Sequence, residues 1–162
     1  MEEREVSESM YLKMPPKIKI LEAAGAVADG RISKLGDKLF RVVSSEGDRT
    51  YSVYVDLERR EACSTDNGTT YRNYVGYPII SSLLILGALP YDTVIGKSLA
   101  NIDWRRLNET LKSYALVEEK VKEIARDRGV TPELINKYVD EVYTQLKKIK
   151  LAKVDKCLSP EV

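Results

Sequence analysis

Histidine is missing from this chain of 162 residues. Its absence removes the commonest general base, a frequent transition-metal ligand and the one side chain that titrates near neutrality. Serines and threonines abound without an imidazole to activate them, which leaves lysine as the alternative base. No Walker pattern, dinucleotide glycine fingerprint or His-Glu metalloprotease motif occurs. Glutamine occurs once, at Gln145, and there is one phenylalanine, one tryptophan and a single pair of cysteines. Long apolar stretches are lacking too: the longest, Pro78 to Pro90, is too short to span a bilayer. The opening MEEREVSESMYLK is acidic and has neither the basic start nor the apolar core of a secretory signal. No membrane partner is expected, and a cytoplasmic location is.

Neither sign of charge dominates. Lysine and arginine number 26 against 25 acidic residues, a net charge of +1, so nucleic acid would have to be held by a local patch. With 31% charged and 43% apolar residues, the chain has the balance of a folded protein with one sizeable core. Abundant charge of both signs with scarce glutamine resembles a heat-adapted composition. Intracellular disulfides are an option in such proteins, but their general rarity favours reading Cys63 and Cys157 as free thiols.

Along the chain, residues 1–14 read as a mobile tail, residues 15–156 as a single domain and residues 157–162 as a second tail. The domain divides into a strand-rich part, 31–75, and a helical part, 76–153. Ile18, Leu21 and Ala24–Gly25 on one side, with Lys17, Lys19 and Glu22 on the other, predict a helix stopped by Asp29-Gly30. The period then changes to two. Phe40, Val42 and Ser44 face away from Leu39, Arg41 and Val43, and Tyr51, Val53 and Val55 alternate with Ser52, Tyr54 and Asp56. Asp66-Asn67-Gly68 offers a hairpin turn, with Thr69–Tyr74 as the returning strand.

From Pro78 the chain reads as helical. Asp103 caps a helix carrying Leu107, Leu111 and Tyr114, and Val117, Val121 and Ile124 continue the spacing to Gly129. Thr131 caps a last helix whose stripe is Ile135, Tyr138, Val142, Leu146 and Ile149. The predicted fold is α+β, a small antiparallel meander with an N-terminal helix and a helical C-terminal half packed on it.

Four features carry functional expectations. Tyrosines number ten, and Tyr71, Arg72, Tyr74 and Tyr77 cluster at the strand–helix junction, where such side chains suit protein interfaces or base-stacking surfaces. Lys147, Lys148 and Lys150, with Lys153 and Lys156, make a basic end that suits phosphates or a solvated helix face. Residues 121–142 have the alanine and glycine spacing of a helix-turn-helix, although Glu133, Asp140 and Glu141 would oppose DNA phosphates. Asp66, beside Asn67-Gly68, reads first as a turn aspartate and only secondarily as an acid or metal-ligand candidate.

Between residues 42 and 89, Ser44-Ser45, Tyr51-Ser52-Val53 and Cys63 stand in the order of a SWIM-type zinc finger, which this segment resembles. Thr65 occupies the place of that family's second cysteine, and Gly76-Tyr77-Pro78, followed by Ile79-Ile80, that of its Cys-x-His. The resemblance therefore implies a metal-free module with tyrosine packing, by Tyr71, Tyr74 and Tyr77, in place of the ion. It also implies DNA or protein partners. No cofactor or metal and no catalytic constellation is expected. The sequence favours a binding protein, first a protein-interaction or assembly module that self-associates or holds a protein partner, with nucleic-acid binding as the alternative.

Overall fold

A computed structural model describes residues 11–158. Its first helix, α1 (Ile18–Ala28), has small or apolar residues nearly all round, and Ile20, Leu21, Ala23, Ala24 and Ala26 are fully buried. Such a helix belongs inside a protein rather than on its surface. A meander follows, formed by β1 (Ile32–Lys34), β2 (Leu39–Val43), β3 (Thr50–Asp56) and β4 (Glu61–Ser64), each antiparallel to the next. The register sets Phe40 opposite Val53 and Val42 opposite Tyr51, so one face of the sheet presents its apolar residues to the core.

The helical part comprises α2 (Asn67–Arg72), α3 (Tyr77–Ile85), α4 (Thr93–Ser98), α5 (Trp104–Leu111), α6 (Tyr114–Asp127) and α7 (Pro132–Lys148). Side-chain caps mark several starts: Asp92 accepts from Val94 and Ile95, Asp103 from Arg106, Ser113 from Leu116 and Thr131 from Leu134. The α+β class and the helix order agree with expectation, and α7 buries Ile135, Tyr138, Val142 and Leu146 as its stripe predicts. The α6–α7 turn is fastened from the side. Arg128 donates to the carbonyls of Ser98 and Ala100 beyond the end of α4.

Three local readings are corrected. Thr69–Tyr74 is not a returning strand, because the Asp66 carboxylate accepts from the Thr69 N–H at 3.1 Å and starts α2 there. Tyr114 opens α6 rather than extending α5, since Lys112 takes a left-handed conformation and Ser113 caps afresh. The sheet is also not wholly antiparallel: β5 (Ala152–Lys153) joins β4 in parallel.

That fifth strand settles the cysteines. It carries the chain past β4 into a 3-10 turn, Lys156–Leu158, and joins Cys157 to Cys63 in a disulfide with Cα atoms 5.8 Å apart. The free-thiol reading is thus replaced. The two cysteines lie with Tyr54, Leu39 and Val154 in a small cluster apart from the main core. Residues 1–10 of the predicted N-terminal tail lie outside the described residues, as do 159–162 of the second. The rest of the first tail is tied down: Leu12 N–H donates to Leu151, Lys13 N–H to Asn73, and Val75 N–H to Lys13.

The β3–β4 turn makes a pH prediction. Asp56 accepts from the Glu58 and Arg59 N–H groups at 3.0 Å each and pairs with Lys38 at 3.2 Å. These contacts, the Arg59 N–H foremost, hold its carboxyl below the usual carboxylate range. A depressed folded value means stability that is present above about pH 4 and lost as pH falls through that value. Asp56→Asn should therefore flatten the acid limb of a melting-temperature profile while leaving the alkaline limb unchanged.

Candidate functional site

Five segments converge on one polar cleft of about 360 Å³. α1 supplies Lys19 and Glu22. The strand β2, its turn and β3 supply Ser44, Arg49 and Tyr51. Asp66 and Arg72 come from the two ends of α2, Tyr74 and Tyr77 from the α2–α3 junction, and Arg105 and Tyr114 from the starts of α5 and α6.

The floor is acidic and sheltered. Glu22 is 8% and Asp66 7% exposed, uncommon values for carboxylates. Lys19 reaches Glu22 at 3.3 Å, one helical turn away, and lies 5.5 Å over the Tyr114 ring. Burial works against the Lys19 ammonium, yet Glu22, aided by the Tyr74 and Tyr114 hydroxyls, raises its pKa above the usual lysine value. The Asp66 carboxylate is divided in its duties. Oδ2 caps α2, whereas Oδ1 is buried and has no hydrogen-bond partner.

Two glycines make this arrangement sterically feasible. A Cβ at Gly76 would overlap the Asp66 carboxylate, and one at Gly68 would overlap the Tyr74 ring. Thr69 completes the corner by accepting from the Gly76 N–H at 3.1 Å through its own hydroxyl.

The walls are aromatic. Tyr51 and Tyr77 meet edge to face at 6.1 Å. Burial raises the phenol pKa of Tyr51, Tyr74 and Tyr77, most strongly at Tyr77, where the Glu22 charge adds to it. All three are therefore neutral hydroxyls at any ordinary pH, able both to donate and to accept.

At the mouth, Arg105 is held by Asp48, by Glu46 at 3.4 Å and by Glu109 at 3.3 Å, which latches α5 to the β2–β3 turn. Arg49 and Arg72 are exposed and have no ion-pair partner among the described residues.

The expected junction is thus partly assembled. Arg72, Tyr74 and Tyr77 line the cleft, with Tyr77 buried and Tyr74 half-buried, but Tyr71 is 77% exposed and does not line it. Lys147 and Lys150 border a separate groove of about 220 Å³ beside Tyr11 and Val75, and Lys148 is exposed on α7. Cys63, the cysteine on which the expected zinc-finger resemblance rests, is engaged by Cys157.

Glu22, Lys19, Arg49, Tyr51 and Tyr114 are site residues that sequence reading did not single out. A signal for the first two was present. A Lys–Glu pair three residues apart, inside a helix otherwise made of alanine, glycine, isoleucine, leucine and valine, fits a helix covered on most of its sides.

The chain belongs to the family described as Uncharacterised conserved protein UCP014422, whose model matches residues 12–152 and so takes in the whole cleft. No curated protein and no solved structure matches it.

Proposed function

We propose that this is a binding protein that receives a small polar molecule in the cleft between α1, the β2–β3 turn, the α2–α3 junction and α5. The observation that carries the reading is the Asp66 Oδ1 atom, buried at the floor without a partner. An orphaned buried acceptor costs about 1–3 kcal/mol, a cost that a ligand donor would remove once a small shift of the Gly76 corner opens the oxygen to the cleft. The cleft volume falls within the range of small-molecule sites, and hydroxyl, carboxylate and guanidinium groups converge on it. The interaction-module and nucleic-acid expectations rest on Tyr71, Arg72, Tyr74 and Tyr77 and on the C-terminal lysines. Arg72, Tyr74 and Tyr77 belong to the cleft, which leaves Tyr71 and the lysines to carry those readings by themselves. Both lie outside this cleft, and neither has an observation of similar weight.

Asp66→Asn tests the proposal, because asparagine caps a helix as well as aspartate does while replacing the orphaned acceptor with an amide. The ligand-free variant should melt within a few degrees of the wild type, since an unpartnered amide N–H replaces the unpartnered oxygen. In a thermal-shift panel of small polar metabolites, a compound at a hundred times its Kd should stabilise the wild type by about 2.7 kcal/mol. For a chain of this size that is a shift of roughly 5–10 °C, and the variant should lose it. A panel that leaves the wild type unmoved, or moves both proteins alike, would overturn the proposal.

A further inference from the structure

Resting on that reading of the cleft, we infer that its ligand is a phosphate ester of a hydroxylated small molecule: a sugar phosphate, free or as part of a nucleotide. The floor excludes most other classes. A carboxylate oxygen accepts hydrogen bonds, so whatever meets Asp66 Oδ1 must donate. An amine would donate, but it would lie beside the Lys19 ammonium and have nothing to accept from it. A hydroxyl does both, giving its proton to the carboxylate and its lone pairs to Lys19 or to a tyrosine hydroxyl. Neighbouring hydroxyls on one ring would satisfy Asp66 and Glu22 together.

The mouth selects the other end of the ligand. Arg49 and Arg72 present guanidinium groups with no acidic partner among the described residues, and guanidinium forks match the oxygens of a phosphate. Arg105, at the same mouth, is already matched by the carboxylates of Glu46, Asp48 and Glu109, so the phosphate contact falls to Arg49 and Arg72. The cleft thus has acceptors at its base and free cations at its rim, the polarity of a molecule with hydroxyls at one end and phosphate at the other.

Isothermal titration calorimetry with ribose 5-phosphate, AMP, ribose and inorganic phosphate tests the assignment. One of the two esters should bind, with ribose and inorganic phosphate each weaker by about a hundredfold or more. Arg49 and Arg72 are exposed, so Arg49→Ala and Arg72→Ala should fold normally and weaken the ester by about tenfold each, the loss of one charge-assisted contact. Asp66→Asn should weaken the ester similarly and leave inorganic phosphate unaffected. Tighter binding of AMP would identify the nucleotide as the source, and tighter binding of ribose 5-phosphate the free sugar. The ligand class is overturned if neither ester binds, if ribose binds as tightly as the esters, or if both arginine variants retain full affinity. In those cases the cleft still stands as a binding site when some other panel compound loses its effect in Asp66→Asn, and it falls when none does.

Discussion

Reduction of the Cys63–Cys157 disulfide should lower the melting temperature by roughly 8–20 °C. The bond spans 94 residues of sequence, more than half of the chain. Closing so long a loop restricts the unfolded ensemble by an amount equivalent to about 4–5 kcal/mol on the chain-entropy account, at the top of the range seen for natural bridges. At about 2–4 °C per kcal/mol for a protein of this length, the shift is large enough to be seen in any scan.

The native contacts around the bond are not all lost with it. Lys156 still reaches Glu61 at 3.1 Å and the Tyr54 hydroxyl at 3.3 Å, and β5 still pairs with β4. Far-ultraviolet circular dichroism at 25 °C should accordingly be unchanged by reductant, while the calorimetric transition moves. An unmoved transition, together with two titratable thiols before reductant is added, would show that the bond does not form. The Cys63→Ser/Cys157→Ser double variant should reproduce the reduced protein.

Lys19→Met should destabilise the fold by about 3–5 kcal/mol, whereas Lys19→Met combined with Glu22→Met should come within about 1 kcal/mol of wild type. The asymmetry follows from shelter. The two side chains are only 15% and 10% exposed, so removing the ammonium leaves a poorly hydrated carboxylate without its counter-charge. Removing both leaves an apolar surface among the alanines and isoleucines of α1. A double-mutant cycle by denaturant unfolding measures the difference directly, and a single-variant cost below about 1 kcal/mol would show that water reaches Glu22.

The same pair has an alkaline signature. The folded pKa of Lys19 is raised, so its contribution is complete below the unfolded lysine value of about 10.4 and is lost as pH rises through the folded one. Wild type should lose stability in that window more steeply than the double variant.

The strands were legible because their pattern is local. Phe40, Val42, Val53 and Val55 recur at every second position, and the turns are written in charged residues, with Gly47 in the first. The stripe of α7 was legible for the same reason. What failed was decided either by local backbone geometry that composition leaves open or by a distant segment. Asp66-Asn67-Gly68 has the composition of a hairpin turn, and only the Thr69 N–H in front of the carboxylate makes it a helix start. The disulfide and the parallel strand depend on where residues 151–157 return, which no local period encodes.

The site was half legible. Arg72, Tyr74 and Tyr77 announced themselves as a cluster. Glu22 was assigned to a solvent face because the period of α1 was read without noting that a helix rich in alanine and glycine can be covered on every side.

The two margins of the sheet differ in a way that bears on solubility. Beyond β5, Tyr11 forms an antiparallel bridge to Ala152, so the backbone of that margin is already engaged. The opposite margin is β1, three residues long, with Ser33 and Lys34 exposed. A short rim carrying a lysine is a poor template for a strand from another molecule. The protein is thereby guarded at both margins against edge-to-edge polymerisation, by occupancy on one side and by brevity and charge on the other.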